Sequence, residues 1–448
     1  MSVDLPHRFL LVGFGLANQA VARALARRGH SVAATDDAPT DAASETAVGV
    51  GVELHRAPDH GALRQLVAAA DAVVPTPGLP DAHPVFDLVR GLDRPVYTEF
   101  DLAAAWDDRP IAAVTGTDGK TTVTGLVAAM LHEAGIACTE AGNNDLPLVA
   151  AIDDPAHDWF VVEASSFRLG RTHGWAPRVA TWLNLAPDHL DVHASHADYE
   201  AAKARIWAAQ GRDDVCIGNL DDETVAKHLA SAPGRPVGFS VHDPDAEYAI
   251  DRSGLPTLRG PDGPIIAVEE LARALPHDVA NALAAAATAM AAGADRDAVA
   301  AVLRRAEPLP HRVQPVATIA GVTYYDDSKA TVPHAALAAI RGFESVVLIA
   351  GGRNKGLDLG ALADGRDQLR AVVAIGEAAD EIVDAFDGIR PVVTADSMTA
   401  AVVAAAEFAE PGDAVLLSPA CASFDWYPNY AARGDDFAAR VRARQEQP

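Results

Sequence analysis

Short apolar runs alternate with longer amphipathic segments along the first hundred residues. The runs Arg8–Val12, Ser31–Thr35 and Ala72–Pro75 have the length of buried strands, and a glycine-containing turn and a helix through Arg28 follow the first of them. Parallel strands need crossover connections of this kind. The pattern therefore predicts βαβ units and a parallel sheet.

The same alternation continues after two short breaks that contain proline, Asp107–Pro110 and Pro308–Pro310. Such breaks mark linkers, and a domain takes roughly 150 residues. We therefore predict three α/β domains in series, over residues 1–106, 107–307 and 308–448. Further strands are predicted at Ile111–Val114, Trp159–Val162, Thr181–Leu183, Val215–Ile217, Thr323–Asp326, Val346–Ile349, Ala371–Ile375 and Ala414–Leu417, and helices at Val279–Ala292 and Arg296–Arg305.

Composition narrows the class of protein. Of 448 residues, 49% are hydrophobic and 22% charged, as in a globular protein with large cores. The formal net charge of −26 argues against a general polyanion-binding surface, so we expect no nucleic-acid partner. Three widely separated cysteines, no signal-peptide pattern and no long apolar run predict a protein of the cytoplasm without membrane insertion.

The strongest chemical signal is the run Thr115–Thr122, with the sequence TGTDGKTT between a predicted strand and a predicted helix. Backbone N–H groups of such a loop, together with a helix N-terminus, cradle phosphate oxygens. Lys120 is expected at the β- and γ-phosphates, and the Thr121 hydroxyl at Mg²⁺. Val114 stands where the standard P-loop has its first glycine, so this is a variant of that motif.

A weaker signal is Gly13-x-Gly15 with Asp36 at the end of the next strand, which is similar to a dinucleotide site. Asn18 replaces the third glycine of that pattern. A turn of this type without a bound dinucleotide explains the residues at least as well.

Glu163 follows the apolar strand Trp159–Val162. A carboxylate at the end of a strand in a P-loop domain is placed to bind Mg²⁺ directly or through water. The alternative is that it caps the next helix.

Lys203 shares one face of a predicted helix with Tyr199, Ile206 and Trp207, and so lies on the apolar stripe. A buried ammonium is costly, so it must pair with a carboxylate, lose its proton or be chemically neutralised. Reaction with CO₂ gives a carbamate, which is an oxygen ligand for Mg²⁺. From the residues alone, an ordinary salt bridge is the commoner outcome.

Several polar loops follow strands in the last third of the chain. Arg312 lies in the run LPHR and Lys329 in DDSKAT, and both are expected to neutralise transferring phosphate. The loops Gly351–Lys355 and Ser418–Asp425 lie at strand ends, where open α/β sheets bind ligands. Cys421 in the second loop is interpreted as a small packing residue.

The order and spacing of these motifs resemble the Mur ligases, the ATP-dependent amide ligases of peptidoglycan synthesis. The resemblance covers essentially the whole chain and rests on TGTDGKTT, EASSF, NLAPDHLD, AAKARIW, LPHR, DDSKAT, GGRNKG and LSPACASFD. It implies a Rossmann-like N-terminal domain, a central P-loop ATPase domain and a Rossmann-like C-terminal domain. It further implies ATP-dependent, ADP-forming addition of D-glutamate to UDP-N-acetylmuramoyl-L-alanine through an acyl phosphate.

The resemblance also implies roles for individual residues. Catalysis would involve Lys120, His189, Lys203 and Arg312. ATP would be bound by Thr115, Gly116, Thr117, Asp118, Gly119, Lys120, Thr121, Thr122, Asn281, Arg312 and Asp327. Two Mg²⁺ ions would be held by Thr121, Glu163, His189 and a CO₂-derived carbamate on Lys203.

The substrate sites follow from the same resemblance. The UDP-substrate would contact Gly15, Leu16, Ala17, Asp36, Gly78 and Asn143. Glutamate would contact Lys329, Thr331, Lys355, Ser423, Phe424 and Tyr430. The expected partners are thus small molecules, and we expect a monomer.

This sequence departs from the family pattern at several positions, mostly along the path expected for the nucleotide sugar. They are Asp118, Asn144-Asp145, Ala17, Ala38 and Asp278. Four alternatives therefore stay open: a sister ligase that adds L-glutamate or another amino acid, a folylpolyglutamate synthase-like ligase, an NAD-dependent oxidoreductase and an inactive nucleotide-binding protein. The separate N-terminal domain argues against the second, and the P-loop against the third. The retained Lys120, Glu163 and Lys203 argue against the fourth.

Overall fold

The computed structural model describes residues 5–143, 146–189 and 192–445. Asn144 and Asp145, which depart from the family pattern, and the end of the NLAPDHLD run at Leu190 and Asp191 lie outside the described residues. The chain divides into two compact units. The first comprises Met1–Leu185, His189–Glu270 and Asn281–Arg304, and the second comprises Ala186–Asp188, Leu271–Ala280 and Arg305–Pro448.

The first sheet of the first unit is parallel and has four strands. These are β1 (Arg8–Val12), β2 (Ser31–Asp36), β3 (Glu53–Arg56) and β4 (Ala72–Pro75). Their order is β3-β2-β1-β4. The accompanying helices are α1 (Leu16–Arg27), α2 (Asp41–Val50), α3 (His60–Ala69), α4 (Val85–Gly91) and α5 (Glu99–Trp106). The predicted βαβ pattern is confirmed.

A second parallel sheet follows in the same unit. Its strands are β5 (Ile111–Thr115), β6 (Cys138–Gly142), β7 (Trp159–Glu163), β8 (Val179–Trp182), β9 (Val215–Asn219) and β10 (Arg235–Phe239). The order is β10-β9-β8-β5-β7-β6, so β5 lies between β7 and β8. The connecting helices are α6 (Lys120–Glu133), α7 (Leu148–Ala151), α8 (Ser166–Leu169), α9 (His196–Ala208) and α10 (Glu223–Leu229).

The sequence pattern did not predict β6, β10 or the small antiparallel sheet that follows them. This sheet consists of β11 (Ala249–Asp251), β12 (Thr257–Gly260) and β13 (Gly263–Ala267). These strands are too short to show a clear alternation, although the turn residues Pro261 and Asp262 between β12 and β13 are a hairpin signal. A 3₁₀ turn, Val268–Glu270, and the helices α11 (Pro276–Ala291) and α12 (Arg296–Arg305) follow.

The sheet of the second unit has six strands. They are β14 (Gln314–Ile319), β15 (Val322–Asp326), β16 (Val346–Gly351), β17 (Leu369–Ile375), β18 (Val392–Ala395) and β19 (Ala414–Leu417). The order is β14-β15-β19-β16-β17-β18, and only the pairing of β14 with β15 is antiparallel. The remaining elements are α13 (Pro333–Ile340), a 3₁₀ helix (Leu359–Gly365), α14 (Ala379–Phe386), α15 (Met398–Phe408) and α16 (Tyr430–Gln445).

Burial explains why the central strands are almost purely apolar. In β16, Leu348 packs in one buried cluster with Ile340 and Phe386, while its neighbour Val347 packs in another with Phe437. Successive strand side chains point to opposite faces, so both faces of this sheet are covered. This arrangement confirms the α/β class.

No helix or strand occupies residues 107–110 or 306–313, where linkers were predicted. The domain boundaries after residues 106 and 307 remain predictions. All three cysteines are buried and free. Within the described ranges, none of the helices has both the length and the apolar character needed to cross a bilayer.

Candidate active site

The predicted phosphate-binding loop joins β5 to the N-terminus of α6. Gly119 is the N-cap of α6 and has a φ of +84°. A Cβ at this position would lie 2.6 Å from Oδ1 of Asn281. Only glycine tolerates both constraints. The structure therefore brings Asn281, a predicted nucleotide contact, directly onto the loop.

Asn184 fixes the conformation of this loop. Its Oδ1 accepts hydrogen bonds from the backbone N–H groups of Thr117 and Asp118, each at 2.9 Å. Its Nδ2 donates to the Asp118 carbonyl at 3.3 Å. Asn184 follows β8, the neighbour of β5, so strand order places it here. Sequence reasoning quoted Asn184 within a motif but gave it no role.

Two lysines converge on the loop. The Lys120 ammonium donates to the carbonyls of Gly116 and Thr117, both at 2.7 Å. The Lys203 ammonium donates to the same Gly116 carbonyl at 2.6 Å. Lys203 is only 1% exposed, and its neighbours on the predicted stripe, Tyr199 included, are also buried. The prediction that Lys203 lies on the apolar face of α9 is confirmed.

Tyr199, which lies one helical turn before Lys203 in α9, contacts both Lys203 and the loop between β5 and α6. Its hydroxyl lies 3.0 Å from the Thr117 hydroxyl. Its ring lies 4.6 Å from the Lys203 nitrogen, within range of a cation–π interaction. The aromatic ring thus supports a positive charge at Lys203 while the amine is protonated.

Glu163 is the last residue of β7 and is 6% exposed. Its Oε1 accepts a hydrogen bond from Nδ2 of Asn143 at 3.1 Å. Ser165, not Glu163, is the N-cap of α8, so the capping interpretation of this carboxylate is wrong. The structure brings together Glu163, a predicted metal ligand, and Asn143, a predicted contact of the UDP-substrate.

His189 has a φ of +56° and belongs to a cluster of rings. Its ring centroid lies 4.6 Å from that of Phe167 and 6.1 Å from that of Tyr199. His193 stacks on Phe167, and its Nε2 lies 3.0 Å from the Ser166 hydroxyl. Burial lowers the pKa of His193, which favours its neutral form. Sequence reasoning did not single out His193.

Over residues 5–143, 146–189 and 192–445, no three His, Cys, Asp or Glu side chains are grouped so that they could hold a metal ion. The predicted magnesium ligands include a hydroxyl and a modified lysine, which are donors of other types. Thr121 lies exposed in the first turn of α6. The magnesium set Thr121, Glu163, His189 and Lys203 remains a prediction.

The glycine turn after β1 is held by two side chains. Asp36 accepts hydrogen bonds from the N–H groups of Phe14 at 2.6 Å and Ala38 at 2.9 Å. Asn18 donates to the carbonyls of Gly13 at 2.7 Å and Val74 at 3.2 Å. Asn18 thus ties the turn to β4 at the position where the dinucleotide pattern has its third glycine.

Apart from Asn143, which follows β6, the other residues predicted for the UDP-substrate lie around this turn and after β4. Gly15 is the N-cap of α1, Leu16 is exposed and Ala17 is buried. Gly78 follows β4 with a φ of +79°. These positions share the carboxyl edge of the first sheet.

A cleft opens at the same edge of β4. It is lined by Pro75, Thr76, Pro77, Thr98, Glu99, Phe100, Phe167, Arg168 and Arg171. Arg168 forms a buried ion pair with Glu99, and Arg171 pairs with Asp81. Burial raises the pKa of Glu99 against the effect of Arg168. The sequence pattern did not predict this lining, because its arginines come from the segment after β7.

In the second unit, Asp327 is buried at the end of β15. It accepts hydrogen bonds from the Ser418 hydroxyl at 2.6 Å and the Val313 N–H at 3.2 Å. Burial raises its pKa to about 7. Arg312 lies between two residues with positive φ, His311 and Val313, and its carbonyl accepts a hydrogen bond from Arg273.

The residues predicted for glutamate occupy three loops of the second unit and, with Tyr430, the start of α16. The Lys329 nitrogen lies 3.8 Å from the centroid of the Tyr430 ring. Lys355 is exposed in a turn that the Asn354 side chain closes by bonds to the backbone of Leu357. Thr331 is half-buried, Ser423 is buried and Phe424 is 62% exposed.

Comparisons with known proteins agree with this geometry. The family described as the Mur ligase middle domain matches residues 114–289, and the Mur ligase glutamate ligase domain matches residues 311–421. A protein of Frankia casuarinae named UDP-N-acetylmuramoylalanine–D-glutamate ligase is 46% identical, over 97% of this chain and 94% of its own length. The chain belongs to the Mur ligase family.

Other Mur ligases extend the comparison. A relative of the same name from Acidobacterium capsulatum is 38% identical over 98% of this chain and 96% of its own. The solved MurF ligase of Thermotoga maritima in complex with ADP aligns with a TM-score of 0.61 at 16% identity, over 92% of this chain and 95% of its own. UDP-N-acetylmuramate–alanine ligase of the same organism aligns with a TM-score of 0.58 at 18% identity, over 98% and 99%. These structures share the fold.

Family membership accounts for the P-loop, which an oxidoreductase leaves unexplained. Within a Mur ligase, Asn184, His193 and Arg168 are the residues that sequence reasoning missed in the first unit. Each becomes visible only when the neighbouring strand or loop is known.

Proposed function

We propose that this Mur ligase joins D-glutamate to the L-alanyl carboxylate of UDP-N-acetylmuramoyl-L-alanine, with ATP converted to ADP and phosphate. The observation that carries the proposal is the similarity, over 97% of the chain, to a relative named for that reaction. We assign the UDP-substrate to residues 1–106, ATP to residues 107–307 and the amino acid to residues 308–448.

The first step is phosphoryl transfer. An oxygen of the L-alanyl carboxylate attacks the γ-phosphorus of ATP, the bond to the β-phosphate oxygen breaks, and an acyl phosphate and ADP form. The protein contributes position and charge to such a reaction. Residues 115–122 surround the phosphates, Asn281 adjoins Gly119, and Lys120 and Arg312 offset the repulsion between the reacting anions.

The second step forms the amide. The amine of D-glutamate, after losing a proton, attacks the acyl carbon, and the tetrahedral intermediate expels phosphate. Lys329, Thr331, Lys355, Ser423, Phe424 and Tyr430 would hold the amino acid. The ammonium groups of Lys329 and Lys355 can form charged hydrogen bonds with the two carboxylates of D-glutamate.

Magnesium fits the donors of the first unit. The Glu163 carboxylate, the Thr121 hydroxyl and a carbamate supply oxygen ligands, the type that Mg²⁺ prefers, and His189 supplies a ring nitrogen. Two ions held there would add positive charge beside the phosphates. Glu163 is kept in place by Asn143.

The arrangement of the two lysines supports a carbamate on Lys203. Lys120 and Lys203 donate to one carbonyl oxygen, so their side-chain nitrogens lie close together, and two positive charges there repel each other. The neutral amine attacks the carbon of CO₂, a C–N bond forms, and one proton is released. The resulting carbamate is negative, so the repulsion between Lys203 and Lys120 becomes attraction.

An isotope experiment tests this function and its mechanism together. The protein is supplied with ATP, Mg²⁺, D-glutamate and UDP-N-acetylmuramoyl-L-alanine labelled with ¹⁸O in the alanyl carboxylate. We expect the dipeptidyl product by mass spectrometry and one ¹⁸O atom in each released phosphate. Product with unlabelled phosphate would contradict the acyl phosphate, and absence of product would contradict the proposed function.

A further inference from the structure

Arg433 is one of the largest fully buried side chains, at 1% exposure, although it carries a guanidinium group. It lies in the first turn of α16. Its Nε donates to the Ser328 hydroxyl and its Nη2 to the Ser328 carbonyl, both at 2.9 Å. Its Nη1 donates to the Cys421 carbonyl at 3.1 Å. One side chain thus connects two loops that are far apart in sequence.

Both loops carry residues assigned above to glutamate. Ser328 lies in the loop after β15, directly before Lys329. Cys421 lies in the loop after β19, two residues before Ser423. Ser328 also donates from its hydroxyl to the Tyr430 carbonyl at 2.8 Å. The guanidinium therefore lies beside the backbone segments that carry three predicted glutamate contacts, Lys329, Ser423 and Tyr430.

The loop after β16 also packs against the Arg433 guanidinium. A Cβ at Gly352 would lie 3.2 Å from Nη1 of Arg433 and 2.4 Å from the Ala422 carbonyl. Arg353 and Ala422 exchange two backbone hydrogen bonds, at 2.8 and 3.0 Å. The loop that ends at Lys355 is thus fastened to the loop that Arg433 holds.

The hydrogen bonds of Arg433 all go to uncharged oxygens. Burial of a charge without an ion pair is unfavourable. Here burial lowers the pKa of Arg433 to about 10, so the guanidinium remains protonated at neutral pH. Asp425 and Asp326 are near enough to offset part of this cost. The planar fork of arginine reaches both loops at once, which the single ammonium of lysine does not.

We propose that Arg433 is a positioning residue for the amino-acid substrate, which holds the loop of Ser328 and Lys329 against the loop of Cys421 and Ser423. This inference rests on the proposed function, because it concerns the glutamate end of the reaction. Arg433 itself is buried beneath the loops and does not contact the substrate.

Kinetics of Arg433→Lys and Arg433→Met test the role. We expect KM for D-glutamate to rise by about tenfold or more in both variants, since small misplacements of binding groups are costly. KM for ATP and for the UDP-substrate should change by less than about threefold. The matched control is Arg440→Met, on the same helix, where the arginine is half-exposed and pairs with Asp436. It should leave all three KM values unchanged.

Hydrogen exchange of the same proteins gives a second readout. Peptides covering residues 326–331 and 419–426 should exchange faster in Arg433→Met, while β16 and β17 stay protected. Unchanged KM for D-glutamate, or an equal loss for all substrates with exchange raised throughout the unit, would overturn the proposal. If the wild type fails to consume D-glutamate, the proposed function fails, and exchange of the two peptides still decides whether Arg433 joins the loops.

Discussion

The ammonium groups of Lys120 and Lys203 donate to one acceptor, the carbonyl oxygen of Gly116, at 2.7 and 2.6 Å. Lys120 begins α6, whereas Lys203 comes from α9, more than eighty residues later. Like charges at such short range repel in a buried setting. A carbamate on Lys203 would replace this repulsion by attraction to the Lys120 ammonium.

Labelling with ¹³C-bicarbonate tests whether Lys203 carries a carbamate. In bicarbonate enriched with ¹³C, the wild type should show a carbamate carbon resonance by NMR that Lys203→Ala lacks. Lys203→Ala should also be nearly inactive and regain part of its activity with acetate, a short carboxylate that can replace the carbamate oxygens. Lys227→Ala, on the exposed side of α10, is the control and should retain both the resonance and the activity. Full activity of Lys203→Ala without acetate would contradict the carbamate role.

Replacement of Lys120 by alanine should lower kcat by about 10²–10³, or about 3–4 kcal/mol of transition-state stabilisation, as for other preorganised charges at a transferring group. Steady-state phosphate release measures this change. Because Lys120 also bonds to Gly116 and Thr117, thermal unfolding of the variant must be measured alongside. A folded variant that keeps more than about a tenth of wild-type kcat would contradict the role of the P-loop lysine.

The buried pair of Glu99 and Arg168 should matter for stability. In Arg168→Met the Glu99 carboxylate stays buried without its cation, so the free energy of unfolding should fall by about 3–5 kcal/mol. The double variant Glu99→Gln, Arg168→Met should recover much of that loss, because no charge is then buried. Arg90→Met removes an exposed pair with Asp87 and should change stability little. Denaturant titrations measure all three, and equal stability of the single and double variants would contradict this account.

The pH dependence of unfolding should report Asp327. Its pKa is about 7 in the folded protein and 3.8 ordinarily, because the carboxyl is buried. The folded state then holds a proton that the unfolded state has lost. The stabilisation that comes from this retained proton is fully present below the ordinary pKa of 3.8. It is lost as pH rises toward 7, which lowers the free energy of unfolding by up to about 4 kcal/mol.

Asp327→Asn should therefore flatten the decline in unfolding free energy between about pH 4 and pH 7. Asp364→Asn, at an exposed position, is the matched control and should leave the slope as in the wild type. Identical slopes for Asp327→Asn and the wild type would contradict a shifted carboxyl at this site. Urea titrations at several pH values provide the measurement.

Local patterns were sufficient to predict the strands β1, β4 and β19, the loop between β5 and α6, and the buried stripe of α9. Each depends on neighbouring residues and on a period that the sequence displays. The role of Asn184 could not be predicted, because it requires that β8 lie beside β5. Arg433 is a stronger case, since its acceptor Ser328 is 105 residues away. Strand order and long-range side-chain contacts are not encoded in hydrophobic periodicity.

The most direct test of the central claim is the initial rate of phosphate release with ATP, Mg²⁺ and UDP-N-acetylmuramoyl-L-alanine, measured with D-glutamate and with L-glutamate in separate reactions. The account predicts turnover with D-glutamate and none above background with L-glutamate. Turnover with L-glutamate alone would keep the fold and the acyl phosphate chemistry but contradict the proposed amino acid. Silence with both would contradict the proposed function.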